Sequence, residues 1–534
     1  MTLKNDRSGK KLMRILGLLL AGLACLCGMH SAQGATDDRP DIVIIMADDM
    51  GYSDIGCFGG EIQTPSLDRL ANRGLRFTSF YSENMCWVSR ASLLTGVYHK
   101  TSLVNGALHR QCESMPEALG RNGYVCKMSG KWHLAGKPYR VNPLDRGFDE
   151  FYGILGGAAS FYAPAFLTRD RENIEKEALQ DPEYYLTDAI SDEAVRMIAE
   201  TKKEERLFLS VAYTAAHWPL HARASDIRRY QGRYAGGWDQ LRQERLSRMK
   251  KMGIVPGSTP LSPRHPKVPA WESVENSQWQ QRRMEVYAAQ VTVMDEGIGR
   301  IVAALEKAGR LERTLVLFTV DNGGCHVEYG PERKGDYLPA TTRDGRKMRP
   351  GNLPGILPGP EDTYQSYGHG WANASNTPFR YFKQYDHEGG IRTSMIAHWP
   401  GGIRKPGSLI RGPTHLVDIL PTVREITGSP PASQVIPLDG QSFASAFRGE
   451  GYPGRQSIFF DHNKGRAYRE GNWKVVALKK GKKYEWELYN LQQDPLELTD
   501  LGSEQPDKRD SLVAKWKAES KRHSRQAALD RTPR

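Results

Sequence analysis

Asp41-Ile-Val-Ile-Ile-Met46, followed by Ala47 and then at once by Asp48-Asp49, is the stretch that decides the fold. A run this apolar and β-branched suits a strand buried on both faces, as in a parallel sheet covered by helices. Tyr124-Val-Cys-Lys-Met128, Leu207-Phe-Leu-Ser-Val-Ala-Tyr213 and Thr314-Leu-Val-Leu-Phe-Thr-Val320 repeat the pattern. Each leads into residues able to do chemistry: Gly130-Lys131-Trp132-His133, His217, and Asp321-Asn322. Open α/β sheets bind ligands beyond the carboxyl ends of their strands, so these residues are expected along one edge.

Helical signals separate the runs. Pro65 opens a helix that Gly74 closes, Ser114 and Glu117 have capping-box spacing, Asp188 to Thr201 is amphipathic, and Arg282 to Ala308 reads as a long helix ending at Gly309. The alternation predicts an α/β fold: a large, doubly wound, mostly parallel sheet flanked by helices. Tyr230–Ser277 and Glu328–Phe379 break the alternation and read as long loops shaping a binding mouth. After Gly428-Ser-Pro-Pro431 the texture changes. Ser457–Phe460, Arg466–Tyr468, Trp473–Val476 and Trp486–Tyr489 read as a small antiparallel sheet, followed by a helix from Lys508 to Ser520. The expected division is an export signal over 1–34, a catalytic domain over 35–428, and a smaller C-terminal α+β domain over 429–534 with a basic tail.

The export reading rests on basic Lys4, Arg7, Lys10, Lys11 and Arg14, an apolar Ile15–Cys27 stretch, and small Ala32 and Gly34 before Ala35. It places the mature chain in the periplasm or outside the cell, with no stable membrane span. The net charge of +12 carries less than it first implies. Removing +4 with the leader and +5 with the segment from Gln505 onward leaves +3 on the folded body. That balance and the lack of an aromatic-interleaved basic motif argue against a nucleic-acid partner. Cys57, Cys86, Cys112, Cys126 and Cys325 remain after the leader, an odd count with no zinc-ligand spacing, so at least one is unpaired.

Asp48-Asp49 and Asp321-Asn322 offer oxygen ligands at two strand ends, a donor set suited to a hard cation such as calcium or magnesium. Cys86 opens Cys86-Trp-Val-Ser-Arg90-Ala-Ser-Leu-Leu-Thr95-Gly96. Ser89 is expected to cap a helix through Leu94, which puts Cys86 near an N-terminus that attracts anions. Arg90 offers a planar fork for a tetrahedral oxyanion.

The Cys86–Gly96 segment resembles the sulfatase signature, in which the cysteine becomes formylglycine. Gly123-Tyr124 through Leu134 resembles the second signature. The Asp-Asp pair, Val211–Leu220, Phe318–Gly324 and Lys383-Gln-Tyr-Asp-His-Glu-Gly-Gly-Ile-Arg392 match in family order, so the resemblance runs from Arg39 to Leu501. It implies an arylsulfatase-type enzyme of the alkaline phosphatase superfamily that hydrolyses aryl sulfates or sulfated carbohydrates. Asp48, Asp49, Asp321 and Asn322, with residue 86, would hold one Ca2+. Cys86, as hydrated formylglycine, would be the nucleophile and Arg90 its orienting charge. Lys131 and Lys383 would bind sulfate, His217 would serve the leaving oxygen, and His133 would take a proton. A formylglycine-generating enzyme is the implied maturation partner. Val88 departs from the pattern, which has Pro or Ala there. Two alternatives stay open: a phosphate or phosphonate monoesterase of the same superfamily, or a degenerate sulfatase that binds sulfated glycans without cleaving them.

Overall fold

The computed structural model describes residues 38–136, 139–432, 436–463, 465–481 and 483–531. The expected leader, 1–34, lies outside them. Among the described residues the large sheet has eleven strands. Seven carry the argument: β1 (Asp41–Ala47), β2 (Leu75–Tyr81), β3 (Tyr124–Gly130), β4 (Glu150–Ile154), β5 (Arg206–Ala212), β6 (Thr314–Val320) and β7 (Arg392–His398). Their order is β2-β7-β6-β1-β5-β3-β4. The five from β6 to β4 are parallel, and β7 enters antiparallel between β6 and β2.

β1 is buried along its whole length. Val43 and Ile45 pack on one side with Met294 and Ile298, while Ile42 and Ile44 pack on the other with Leu94 and Leu119. This two-sided burial is why the strand reads as a continuous apolar run. The covering helices include α1 (Pro65–Asn72), α2 (Cys86–Thr95), α3 (Met115–Gly120), α4 (Leu186–Glu200), α5 (Gly237–Lys251) and α6 (Ser277–Lys307). The capping box is present: Glu117 N donates to Ser114 Oγ at 3.3 Å, and Ser114 N to Glu117 Oε2 at 2.8 Å.

Tyr230–Ser277 is not simply loop, because it contains α5. Its buried face includes Arg242 and Arg245 among Trp238, Leu241, Leu246 and Met249, so composition hides the stripe. Arg245 is ion-paired inside with Asp54 at 2.6 Å and Glu61 at 2.8 Å. A buried charge paired in this way is compatible with a core-facing position.

The smaller sheet is antiparallel, in the order β8 (Ser457–His462), β9 (Gly465–Glu470), β10 (Trp473–Lys480), β11 (Lys483–Asn490). Helix α7 (Pro506–Ala527) closes one face through Leu512, Val513 and Trp516 against Phe459, Val475 and Leu488. The described residues from Pro40 onward form one compact unit. From β10, fully buried Lys474 reaches Glu388 at 2.9 Å and Glu497 at 2.7 Å. All five described cysteines are buried. Among the described residues no helix is long and apolar enough to cross a membrane.

Candidate active site

Sheet register brings the expected residues together. Ala47 lies beside Val320 and Met46 beside Ala212, while Gly130 also lies beside Ala212. The chain segments that leave β1, β6, β3 and β5 therefore emerge at one edge. Asp321 N donates to Ala47 O at 3.2 Å, and Lys131 N to Ala212 O at 2.7 Å, extending the ladders by one step. Asp49 turns back in the left-handed region, φ 58°, and His133 does the same at φ 58°. For non-glycine residues that conformation costs about 1–2 kcal/mol, so it persists where surrounding contacts enforce it.

Three carboxylates and three cations meet here. Lys131 Nζ donates to Asp48 Oδ2 in a very short contact. Lys383 Nζ donates to Asp49 Oδ1 at 2.5 Å and lies 3.9 Å from Cys86 Sγ. Arg90 Nη2 stands 3.3 Å from Asp321 Oδ2 and 3.7 Å from Asp48 Oδ2, and its Nη1 donates to Lys131 O at 2.8 Å. Asn322 Nδ2 donates to Asp49 Oδ1 at 2.7 Å. Burial would raise Asp48 and Asp49, but Lys131 holds the first below the usual carboxylate range and Lys383 does so for the second. Asp321 goes the other way, pushed up by burial and then by the Asp48 charge.

Asp48 Oδ1, Asp49 Oδ2 and Asn322 Oδ1 are buried and accept no hydrogen bond. Orphaned oxygens in a buried site are costly. Oxygen donors from four side chains at two strand ends match what a hard divalent cation takes, so the residues fit such an ion. Asp48, Cys86 and Asp321 place ligand atoms within 4.8 Å of one another, as do Asp48, Asp49 and His217. His217 was not among the expected ligands. Its Nε2 lies 3.4 Å from Asp49 Oδ2, and its Nδ1 donates to Trp218 O at 2.6 Å. Burial lowers the imidazole to about 4, against the pull of Asp49. His133 is lowered well below its usual range by burial, then by Lys131 and Arg90.

Cys86 is the first residue of α2 and is 3% exposed. Burial raises its thiol, with Lys131 and Lys383 pulling the other way. Met85, not Ser89, holds the cap position, and no side chain caps the helix. Ser89 Oγ is turned inward instead, donating to Asp321 O and accepting from Glu83 N at 3.1 Å. It ties the helix start to the end of β6. Val88 is fully buried in the first turn. A first-turn residue has no partner for its N–H within the helix, so the folded chain accepts valine or proline there.

Behind this turn, Glu83 faces His99 at 3.1 Å. Burial raises the Glu83 carboxyl, but the His99 charge outweighs it and holds it down to about 2, while the pair raises His99. Glu83 then adds stability above its ordinary value of 4.5 that is lost as pH falls through about 2. His99 adds stability below its ordinary 6.5 that is lost as pH rises through its raised folded value. The Glu83 part is on the order of 3 kcal/mol. In urea titrations, the stability gap between wild type and Glu83→Gln is expected to close as pH falls from 4.5 to 2. A gap independent of pH would contradict this pairing.

A cavity of about 440 Å3 opens over the site. Cys86, His133, His217 and Lys383 line it, whereas Lys131 lies fully buried with its ammonium on Asp48. The walls are Trp87, Tyr139, Leu155, Trp218 and Tyr337, with Arg333 and Asp336 also lining it. Glu328–Phe379 therefore does reach the mouth, but no residue of Tyr230–Ser277 lines this cavity. Trp218 beside His217 carried a usable signal, an aromatic next to a strand-end histidine. Tyr139, Tyr337 and Arg333 had none.

The sulfatase family model matches residues 40–429. An uncharacterized sulfatase of Schizosaccharomyces pombe is 31% identical, with 90% of this chain and 93% of that protein covered. An arylsulfatase of Klebsiella aerogenes is 32% identical, with coverages of 82% and 96%. The crystal structure of Ps i-CgsB in complex with k-i-k-neocarrahexaose shares the fold, with a TM-score of 0.63 at 24% identity and coverages of 93% and 98%.

Proposed function

The chain belongs to the sulfatase family and is a sulfuric ester hydrolase, and from that premise we propose that hydrolysis takes place in the cavity over Cys86, with one calcium ion and a formylglycine made from that cysteine. The observation that carries this reading is the trio of unpartnered oxygens on Asp48, Asp49 and Asn322, gathered beside a helix start that bears Cys86 and faces Lys383. When present, the cation supplies Lewis acidity and the hydrated aldehyde a hydroxyl nucleophile with its own exit route.

The side chains divide the remaining work. Asp48, Asp49, Asp321 and Asn322 hold the ion. Arg90, fixed between Asp321 and the Lys131 carbonyl, orients residue 86. Lys383 binds a sulfate oxygen from the cavity side, and Lys131 adds positive charge from below. Negative charge grows on the departing alcohol oxygen, and His217, which lines the cavity, would have to carry a second proton, on Nε2, to stabilise that oxygen. His133, neutral in its buried setting, takes the proton released at residue 86. The aromatic walls suit the face of an aryl ring or the C–H face of a sugar, so the substrate is an aryl sulfate or a sulfated carbohydrate. The same reading keeps 1–34 as an export leader to the periplasm or beyond, 35–428 as the catalytic part, and 429–534 as the C-terminal part. A formylglycine-generating enzyme acts on the chain during maturation.

The test is mass spectrometry of the Cys86 peptide, with sulfate release measured on matched nitrophenyl sulfate and phosphate esters. The expected result is the thiol-to-aldehyde mass change and preferred sulfate cleavage, lost on chelation and restored by calcium. An intact thiol and no sulfate release, from a chain made beside a competent maturation enzyme, would falsify the proposal. A subtler check uses Gly157, where an added Cβ would sit 2.2 Å from His133 Nε2. Gly157→Ala is expected to displace that ring and lower kcat/KM on the order of 10²-fold. Steady-state rates within threefold of wild type would show that His133 is not placement-critical.

A further inference from the structure

The nucleophile turn and the Lys383 segment lie about 300 residues apart in sequence, and the first hairpin of the small sheet touches both. Asn84 sits at the centre. Its Nδ2 donates to Asp386 Oδ1 at 2.5 Å, and its carbonyl accepts from Gln384 N at 2.8 Å. From the end of β8, His462 Nδ1 donates to Asn84 Oδ1 at 3.0 Å, and the His462 carbonyl accepts from Asn84 Nδ2 at 3.4 Å. Asn84 and Asp386 are each 1% exposed. A buried amide held by this many partners has one orientation, and so has the turn that carries it.

The same hairpin supports the cavity wall. The His462 ring meets the Trp87 indole edge-on with centroids 5.4 Å apart, and Trp87 meets His133 at 5.4 Å on another side. Gly465, which opens β9, makes the close approach possible. A Cβ there would lie 2.6 Å from Asp386 Oδ2 and 2.8 Å from Asn84 Nδ2. The small sheet also grips the Lys383 segment further along, where His387 Nε2 meets Glu487 at 2.9 Å and Lys474 meets Glu388.

We infer that the β8–β9 hairpin is a positioning element of the active site: His462 and Gly465 hold the Asn84–Asp386 clasp that sets residue 86 against Lys383, and His462 backs the Trp87 wall. His462, Asn84 and Asp386 are positioning residues, since none of them lines the cavity. The inference rests on the sulfatase reading for its kinetic consequences but not for the clasp itself.

Four variants test it, with steady-state kinetics on an aryl sulfate and amide hydrogen exchange of the full chain. His462→Ala removes the Nδ1 hydrogen bond to Asn84 and the ring contact with Trp87, leaving only the backbone carbonyl, and is expected to lower kcat about 10-fold or more and raise KM. His462→Asn keeps a donor for Asn84 but not the ring. It is expected to restore kcat to within about threefold while KM stays raised, a split that a general loss of stability would not produce. Gly465→Ala and Asn84→Ala break the clasp from either side and are expected to lower kcat while speeding exchange at the Gln384 amide, with β10 and β11 unchanged. If His462→Ala does not fold, the other three decide. Wild type without sulfate release would defeat the functional reading, and the exchange data would still judge the clasp. Folded variants with Gln384 exchange as in wild type, or with both kinetic constants within twofold, overturn the inference.

Discussion

Cys86→Ala is expected to lower sulfate release by about 10⁴-fold or more while leaving the fold in place. Alanine is the best helix former, and position 86 opens a helix, so the backbone has no reason to move. What disappears is the atom that faces Lys383 at 3.9 Å and shares a ligand cluster with Asp48 and Asp321. Arg90, Lys131 and Lys383 remain, and with them most of the attraction for a sulfate group. The variant should therefore bind a sulfate ester with an affinity close to wild type while failing to turn it over. Rates from stopped assays and affinities from calorimetry separate the two quantities. Turnover within tenfold of wild type would mean that residue 86 is not the nucleophile.

Lys474→Met should have the largest effect on stability, about 3–5 kcal/mol. The ammonium is fully buried between Glu388 at 2.9 Å and Glu497 at 2.7 Å. Methionine matches its length but leaves two carboxylates facing each other out of water. Glu388 keeps Tyr81 at 2.8 Å and Arg392 at 3.3 Å, which limits the damage without removing it. Urea denaturation measures the loss. The double variant Glu388→Gln/Lys474→Met should recover part of it, because the stranded charge goes with the glutamate. Additive losses in the double variant would show that the pair is uncoupled.

The residues show why some of this was legible in the sequence and some was not. β1 and β6 announced themselves because burial on both faces forces an unbroken apolar run, and each run stops at an acid on the edge where ligands bind. The meeting of Asp48, Asp321, Arg90 and Lys383 followed from those strand ends together with the family resemblance. Helix α5 stayed hidden because Arg242 and Arg245 stand on its inward face, where a periodicity rule looks for apolar side chains. The role of Ser89 was misread because a serine near a helix start usually caps it, and here a tertiary acceptor, Asp321 O, won the hydroxyl. Tyr139, Tyr337 and Arg333 could not be picked out at all. A wall made where separate loops converge has no local pattern, since each residue gains its meaning from neighbours hundreds of positions away.

The seclusion of Cys86 sets a timetable. A side chain 3% exposed, on a backbone already wound into a helix, offers no extended peptide for another protein to grip. Under the proposed function, conversion of that cysteine would belong to the interval between synthesis and collapse of the chain. On that reading a molecule that missed the interval would keep its thiol, so a preparation would hold two populations, and its specific activity would record how often the race was won rather than how fast each enzyme works.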